Sequence, residues 1–331
     1  MKKCLCLILF LLAAFMLAGC NKTTKDKSLY GKYPDAILKA ISEKKEINKS
    51  YRDLTTDDLA KAKIFYFERE YDKDYIDKKY GLEQGKTYDF SILGKMPNLR
   101  NIYFHYGNEI HVKSYDFLKD LKNLEILTVE NIDDNDIKYI KNIKSLKYLD
   151  IFDSKITSID FLKNLSQLEM LHIDGTPTIN DYGPLKYLKN THSIMLTNND
   201  ITDERFSTIP DLNTVTSLDL SKNNINTIFR FPLLPNLEAL QLSSNNIKSL
   251  DLSSAHISKL EGLYIDDTDI SDINDIKGAD SIEYINLLDT KINRLSPLND
   301  YKNLETIYVN KSNIIDMDQL KNKNIKIYNS L

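Results

Sequence analysis

An apolar pattern recurs about every twenty-two residues from Leu99 to the end of this 331-residue chain, and no other feature constrains its folding as strongly. One copy reads Leu146, Leu149, Ile151, Ser154, Ile156, Ile159, Leu162 and Leu165. The pattern restarts at Leu168, Thr191, Val215, Leu237, Leu260, Ile282 and Leu304, in steps of 22, 23, 24, 22, 23, 22 and 22 residues from Leu146. A unit this short cannot bury its own apolar face, so the copies must stack into a solenoid with one continuous core. Each Leu-x-Leu segment alternates in the manner of a short strand with its leucines inward. Consecutive strands then form a parallel sheet along one side. Ile159, Leu162 and Leu165 are spaced by three, which predicts tight 3₁₀-like turns on the opposite side instead of long helices.

The clearest copies are Val215-Thr-Ser-Leu218-Asp-Leu220-Ser-Lys-Asn223-Asn-Ile225 and Leu237-Glu-Ala-Leu240-Gln-Leu242-Ser-Ser-Asn245-Asn-Ile247. They resemble the leucine-rich-repeat signature Leu-x-x-Leu-x-Leu-x-x-Asn-x-Ile, and the resemblance extends over residues 60–331. It implies an α/β solenoid with a parallel sheet on the concave side, short 3₁₀ turns on the convex side and a small helical N-terminal cap. At the ninth position Asn199, Asn223 and Asn245 can both donate and accept, forming a ladder between coils. Ser154, Thr176, Thr268, Thr290 and Ser312 stand in the same place in other copies and satisfy fewer groups.

Upstream, Pro34 opens a segment with Ile37, Leu38 and Ile41 on one helical face. Thr55 and Asp58 have the spacing of a weak capping box before Leu59. Ile64 to Phe67 reads as a first strand. The run Pro34-Asp35 followed by Ile37, Ala40 and Ile41 resembles the N-terminal flank of bacterial internalin-like leucine-rich-repeat proteins, where a helical segment covers the first strand. Such a cap is physically required, because the first repeat would otherwise expose core and an unpaired sheet edge. We therefore assign residues 33–60 to the cap and 61–331 to the repeat domain, with an irregular repeat or insertion around 68–98. At the far end, Ile325 and Ile327 predict a last, truncated strand.

The first residues have a different character. Lys2 and Lys3 precede an apolar run from Leu5 to Leu17, which reads as an export signal instead of a membrane span. Leu17-Ala18-Gly19-Cys20 resembles the lipobox of bacterial lipoproteins, in which the cysteine is diacylated and becomes the mature N-terminus. This implies a signal peptide at 1–19, a lipidated flexible tether at 20–32, and localisation on the extracytoplasmic face of the cell membrane. Two acyl chains hold a protein in a membrane far better than one. Cys4 and Cys6 lie inside the signal, so Cys20 is left without a disulfide partner or a thiolate metal site.

Formal net charge is −4, and acids and bases are interspersed without a basic stripe, which argues against a nucleic-acid partner. The five histidines have no metal-ligand spacing. Asp266-Asp267-Thr268-Asp269-Ile270-Ser271-Asp272 has the acidic look of a calcium loop, but its sixth position is not Gly, no Glu stands at the twelfth, and repeat turns account for it. There is no Gly-x-Ser-x-Gly elbow and no phosphate-cradling glycine loop. We read no catalytic, cofactor or metal constellation, and no enzyme.

In a repeat of this kind the third, fifth and seventh positions face outward from the sheet. Aromatic residues there fall in two groups. Phe65, Phe67, Tyr103, Tyr148 and Phe152 lie toward the N-terminal side, and Tyr264, Tyr284 and Tyr308 toward the C-terminal side, with small polar residues such as Ser193, Ser217 and Ser243 between. Tyrosine offers large contact area with few rotors, which favours a binding face; stacking along the sheet would equally explain it. The expectation is a monomeric, membrane-anchored recognition protein that binds a protein ligand with its concave face. The alternative is a scaffold lipoprotein of the envelope using its lateral or convex surface, with an envelope enzyme a distant third.

Overall fold

The computed structural model describes residues 28–66, 80–83, 85–104, 110–228, 230–321 and 324–329. Helix α1 spans Asp35–Ser42 behind Pro34, with Ala36, Ile37, Leu38, Ala40 and Ile41 buried against the first coil. Helix α2 spans Thr56–Leu59, and the Asp58 carboxylate reaches back to accept from the Thr55 amide at 3.0 Å and its hydroxyl at 2.8 Å. Lys49 and Lys61 close on the same carboxylate at 2.9 and 2.8 Å. This buried charge is held by two cations and two local donors.

Twelve short strands then form one parallel sheet. They are β1 (Ile64–Tyr66), β3 (Asn101–Tyr103), β5 (Ile126–Glu130), β6 (Tyr148–Phe152), β7 (Met170–Asp174), β8 (Ser193–Thr197), β9 (Ser217–Asp219), β10 (Ala239–Gln241), β12 (Gly262–Tyr264), β14 (Tyr284–Asn286), β15 (Thr306–Tyr308) and β16 (Lys326–Tyr328). Each begins at the third position of its repeat, and the register keeps equivalent positions side by side: Leu149 lies opposite Leu171, Leu171 opposite Ile194, and Leu240 opposite Leu263. The opposite wall is built of 3₁₀ turns at Ser91–Lys95, Asp116–Asp120, Asp160–Asn164, Gly183–Tyr187 and Ser296–Asp300. Two small parallel pairs add to it: β2 (Lys86–Tyr88) with β4 (Ile110–Val112), and β11 (Leu250–Asp251) with β13 (Ile276–Lys277). The period-22 pattern does not announce these pairs, because they occupy the variable part of the repeat.

The chain leaves the strands through a recurrent left-handed residue at the eighth position: Asn131, Asp153, Asn198, Lys222, Ser244, Asp267 and Asp289, with Gly175 in the same place. Asn, Asp and Gly tolerate that conformation, and the short polar side chains bond locally. The amides of these residues point to the following coil, as Asp153 N–H to Asp174 O at 2.9 Å and Asp267 N–H to Leu288 O at 2.9 Å. Asp267 is therefore the turn residue of its repeat, which accounts for the acidic run around it.

The ninth position forms the expected ladder. Asn223 Oδ1 accepts from the Asn199 and Ile201 amides, each at 3.0 Å, while its Nδ2 donates to the Leu196 and Leu220 carbonyls, each at 2.8 Å. Asn199 serves the Thr176 amide at 2.8 Å, Thr176 the Ser154 amide at 3.3 Å, and Ser154 the Ile132 amide at 3.1 Å. Ser312 departs from the expectation. It is exposed, in a 3₁₀ turn at Lys311–Asn313, where the repeat shortens before β16. The buried polar group of that coil is instead Asp316, which accepts from the Leu295 and Ser296 amides at 2.7 and 3.0 Å. Burial opposes its charge, but these bonds outweigh it and hold the carboxyl below its usual range.

Candidate recognition surface

Strand register sorts every side chain on the sheet into one of two faces, and one slip would exchange them. Phe65 lies opposite Ile102, which lies opposite Leu127. It belongs to the core and is fully buried, with its ring 6.0 Å from Phe90 and 6.1 Å from Phe104. The expectation that Phe65 faces outward is corrected: in the observed register Ile64 and Tyr66 are the outward residues of β1. A four-residue aromatic and β-branched run has no polar alternation from which the face can be read. Phe67, Cys20 and residues 67–79 of the irregular repeat lie outside the described residues.

The remaining expected residues take concave positions. Tyr103 stands between Tyr66 and Thr128 in the register, half-buried, with burial raising its phenol above the ordinary value. Tyr148 and Phe152 flank Asp150 on β6. They do not gather into one aromatic patch with Tyr103. They belong instead to a polar cluster in which Thr128 Oγ1 donates to Asp150 Oδ2 at 2.9 Å and the His172 ring packs edge-on to Phe152 at 4.9 Å. His172 Nδ1 lies 3.9 Å from Asp150 Oδ1, and Thr197 Oγ1 donates to Asp174. Carboxylates on this half thus have partners within the chain. His172 is a strand residue of this face, opposite Asp150 in the register.

At the C-terminal end, Tyr264, Tyr284, Tyr308 and Tyr328 form a continuous ladder with ring centroids 5.0, 5.2 and 5.0 Å apart. The rings turn from tilted, at 38° and 44°, to stacked at 24°. Tyr264, Tyr308 and Tyr328 occupy the fifth position of their repeats, whereas Tyr284 occupies the third. Gly262 makes this diagonal step possible, since a Cβ there would stand 3.2 Å from Tyr264 Cε2. Burial, with Tyr264 and Tyr308 alongside, pushes the Tyr284 phenol well above its ordinary range. Tyr328 is the rung missing from the sequence reading. It is 43 % exposed and could have been found by extending the alternation of Ile325 and Ile327 one residue further.

Beside the ladder, Asp266 accepts from Ser243 Oγ at 2.6 Å and Asn286 Nδ2 at 2.7 Å. Among the described residues no group of three or more His, Cys, Asp and Glu is arranged to hold a metal ion. None of the described helices is long and apolar enough to cross a membrane. The geometry is that of a broad contact surface: an aromatic platform held by a rigid sheet, with side chains whose own partners fix their orientation.

Residues 189–247 match the family model described as leucine rich repeat. No curated protein matches the sequence. Among solved structures, the chain is similar to an internalin, InlF, from Listeria monocytogenes, with a TM-score of 0.57 and 18% identity over 89% of this chain and 88% of that one. It is also similar to TLR13 in its complex with ssRNA13, at TM-score 0.53 and 19% identity over 77% of this chain. A third likeness is to a chain of the Drosophila Toll–Spatzle complex, at TM-score 0.51 and 16% identity over 66% of this chain. The chain spans 41% and 31% of the lengths of these last two. The fold is a leucine-rich-repeat solenoid.

Proposed function

We propose that this chain is a membrane-tethered recognition protein whose concave face binds a protein ligand, with one copy presenting the whole surface. The observation that carries this reading is the four-tyrosine ladder. Adjacent aromatic rings on a rigid strand platform offer a large contact area whose ordering cost is already met by the fold. A fold shared with an internalin and with a chain of the Toll–Spatzle complex supports the same class of role. Another solenoid of this kind occurs in complex with RNA, but Glu130, Asp150, Asp174, Asp219 and Asp266 lie on the concave positions of this chain. Together with the net charge of −4 they disfavour a polyanion.

Replacing Tyr264, Tyr284, Tyr308 and Tyr328 together with Ser tests the face. Protein capture by the immobilised chain, read by mass spectrometry, should be lost while the far-ultraviolet spectrum of the fold persists. Capture that survives would point to the lateral or convex surface and a scaffold role. For the tether, we assign Cys20 as the lipid attachment site on the lipobox resemblance of Leu17 to Cys20. Cys20→Ser should release the protein from membranes, and membrane association without acyl label would refute lipidation.

A further inference from the structure

One residue before each strand, at the edge of the sheet, the side chains form a column of their own, and its two halves differ in charge. In the N-terminal half the column reads Arg100, Glu125, Lys147 and Glu169. These residues neutralise one another: Arg100 pairs with Glu125, and Lys147 Nζ lies 3.4 Å from Glu169 Oε1. In the C-terminal half the same positions are Glu238, Glu261, Glu283 and Glu305, all exposed. Their backbones are in direct register, with Glu261 N–H bonded to Glu238 O at 2.9 Å, Glu283 N–H to Glu261 O at 2.8 Å, and Glu305 N–H to Glu283 O at 2.8 Å. Four carboxylates therefore follow one another at about the 4.8 Å spacing of paired strands. Like charges side by side on a sheet are unfavourable. Among the described residues, no Lys, Arg or His lies within ion-pair distance of any of the four.

This column borders the tyrosine ladder. Its side chains reach the concave aromatic positions, as Tyr148 OH shows by donating to Glu169 Oε2 at 3.5 Å. Tyr284 stands in the repeat position of Tyr148, and Glu305 in that of Glu169. The ring faces are turned on one another in the stack, so what the ladder offers a ligand is its row of phenol hydroxyls. With an uncompensated line of carboxylates along one side and Asp266 on the other, these complement positive charge on an extended chain. A phenol oxygen accepts from a Lys or Arg N–H, and flanking carboxylates speed encounter and fix orientation.

We propose that the C-terminal half of the concave face docks a lysine- or arginine-rich extended segment of a protein partner, its cations donating to the Tyr284, Tyr308 and Tyr328 hydroxyls and its charge matched by Glu238, Glu261, Glu283 and Glu305. This rests on the concave-face reading and names the partner chemistry for it.

The test uses the full chain and a fluorescent octa-arginine peptide, with octa-glutamate as the opposite-charge probe and fluorescence anisotropy as readout. Octa-arginine should bind and octa-glutamate should not. Changing the four glutamates together to Gln should weaken octa-arginine about tenfold, as should Tyr284→Leu with Tyr308→Leu, which removes two hydroxyl acceptors. An equal charge change away from this face, at Asp160, Glu204, Asp280 and Asp300, should alter binding by less than about twofold. Equal weakening by the two charge quartets, or none by the glutamate quartet, overturns the inference. Thermal melts guard against misfolding, since removing four like charges should leave the midpoint unchanged or raised. In the capture experiment above, loss with the tyrosine quartet but not with the Gln quartet overturns the basic-partner inference alone. Retention with both overturns the concave-face reading as well.

Discussion

The two ends of this solenoid both carry aromatic clusters, and they are built for opposite purposes. At the N-terminal end Phe65, Phe90, Phe104, Tyr115 and Phe117 meet edge-to-face or tilted beneath the sheet, as Phe90 does with Phe104 at 4.9 Å and 75°. All five are buried. At the C-terminal end Tyr264, Tyr284, Tyr308 and Tyr328 stack above the sheet at 5.0–5.2 Å, against 5.8–6.3 Å for most of the buried pairs. That difference does not decide which cluster is buried. What separates them is strand register, because one face of each strand joins the shared core and the other does not. The first cluster fills the mouth of the solenoid, where α1 and α2 replace a missing preceding coil. The second lines the last coils, on the face the fold leaves uncovered.

The sharpest way to break this comparison is to truncate a ring inside the first cluster. Phe65→Ala removes a fully buried ring from contact with Phe90 and Phe104, and should cost about 3–5 kcal/mol of stability in equilibrium urea unfolding. Octa-arginine binding to the variant that remains folded should be unaltered. A small stability loss joined to lost binding would return Phe65 to the recognition surface and contradict the register.

That Phe65 needed a structure to place shows where sequence legibility ended. From Leu99 onward the twenty-two-residue period fixes inward and outward positions independently in each copy, so Tyr148, Phe152, Tyr264, Tyr284 and Tyr308 are placed on their face by counting from a leucine. The Asn ladder is legible for the same reason, because a side chain at the ninth position of Asn199, Asn223 and Asn245 meets the same backbone each time. Counting fails where a neighbour is lacking. Before Leu99 no adjacent copy sets the register of Ile64 to Tyr66, and after Leu304 the shortened repeat leaves Ser312 exposed and buries Asp316 against the Leu295 and Ser296 amides, a different part of the preceding coil. The charge column is different again: its residues are plain in the sequence, but pairing of Arg100 with Glu125 and of Lys147 with Glu169 depends on which residues become neighbours across strands.

Between the two ends stands a smaller difference with a pH signature. The N-terminal cap depends on ionised Asp58, whose hydrogen bonds from Lys61, Lys49 and Thr55 overcome burial and hold its carboxyl well below the usual range. A group depressed in the folded state stabilises it fully above its unfolded pKa of about 4 and loses that contribution as the pH falls through the folded value. Acidification below about pH 4 should therefore loosen the cap. Hydrogen exchange should show α1 and β1 losing protection before β14 and β15. Asp58→Asn should flatten this acid dependence and lower stability at neutral pH, by about 1–3 kcal/mol for the lost charged bonds. Equal acid sensitivity at both ends would assign it to the general protonation of carboxylates instead.

The smallest expected effect is the most discriminating one, because it addresses whether the exposed ladder is itself a structural device. Tyr284 is half-buried between Tyr264 and Tyr308, and cross-strand aromatic pairs stabilise a sheet by roughly 0.2–1 kcal/mol each. Tyr284→Ala should accordingly cost about 1 kcal/mol, several-fold less than Phe65→Ala. Tyr284→Phe should keep the stack and the stability while removing a hydroxyl acceptor, and so weaken octa-arginine binding without unfolding. If Tyr284→Ala instead destabilised the fold as much as Phe65→Ala, the ladder would be a second core exposed at its margin, and the contrast between the two ends would collapse. If stability barely moves while octa-arginine binding falls, aromatic clusters serve packing at one end and recognition at the other, with register deciding which.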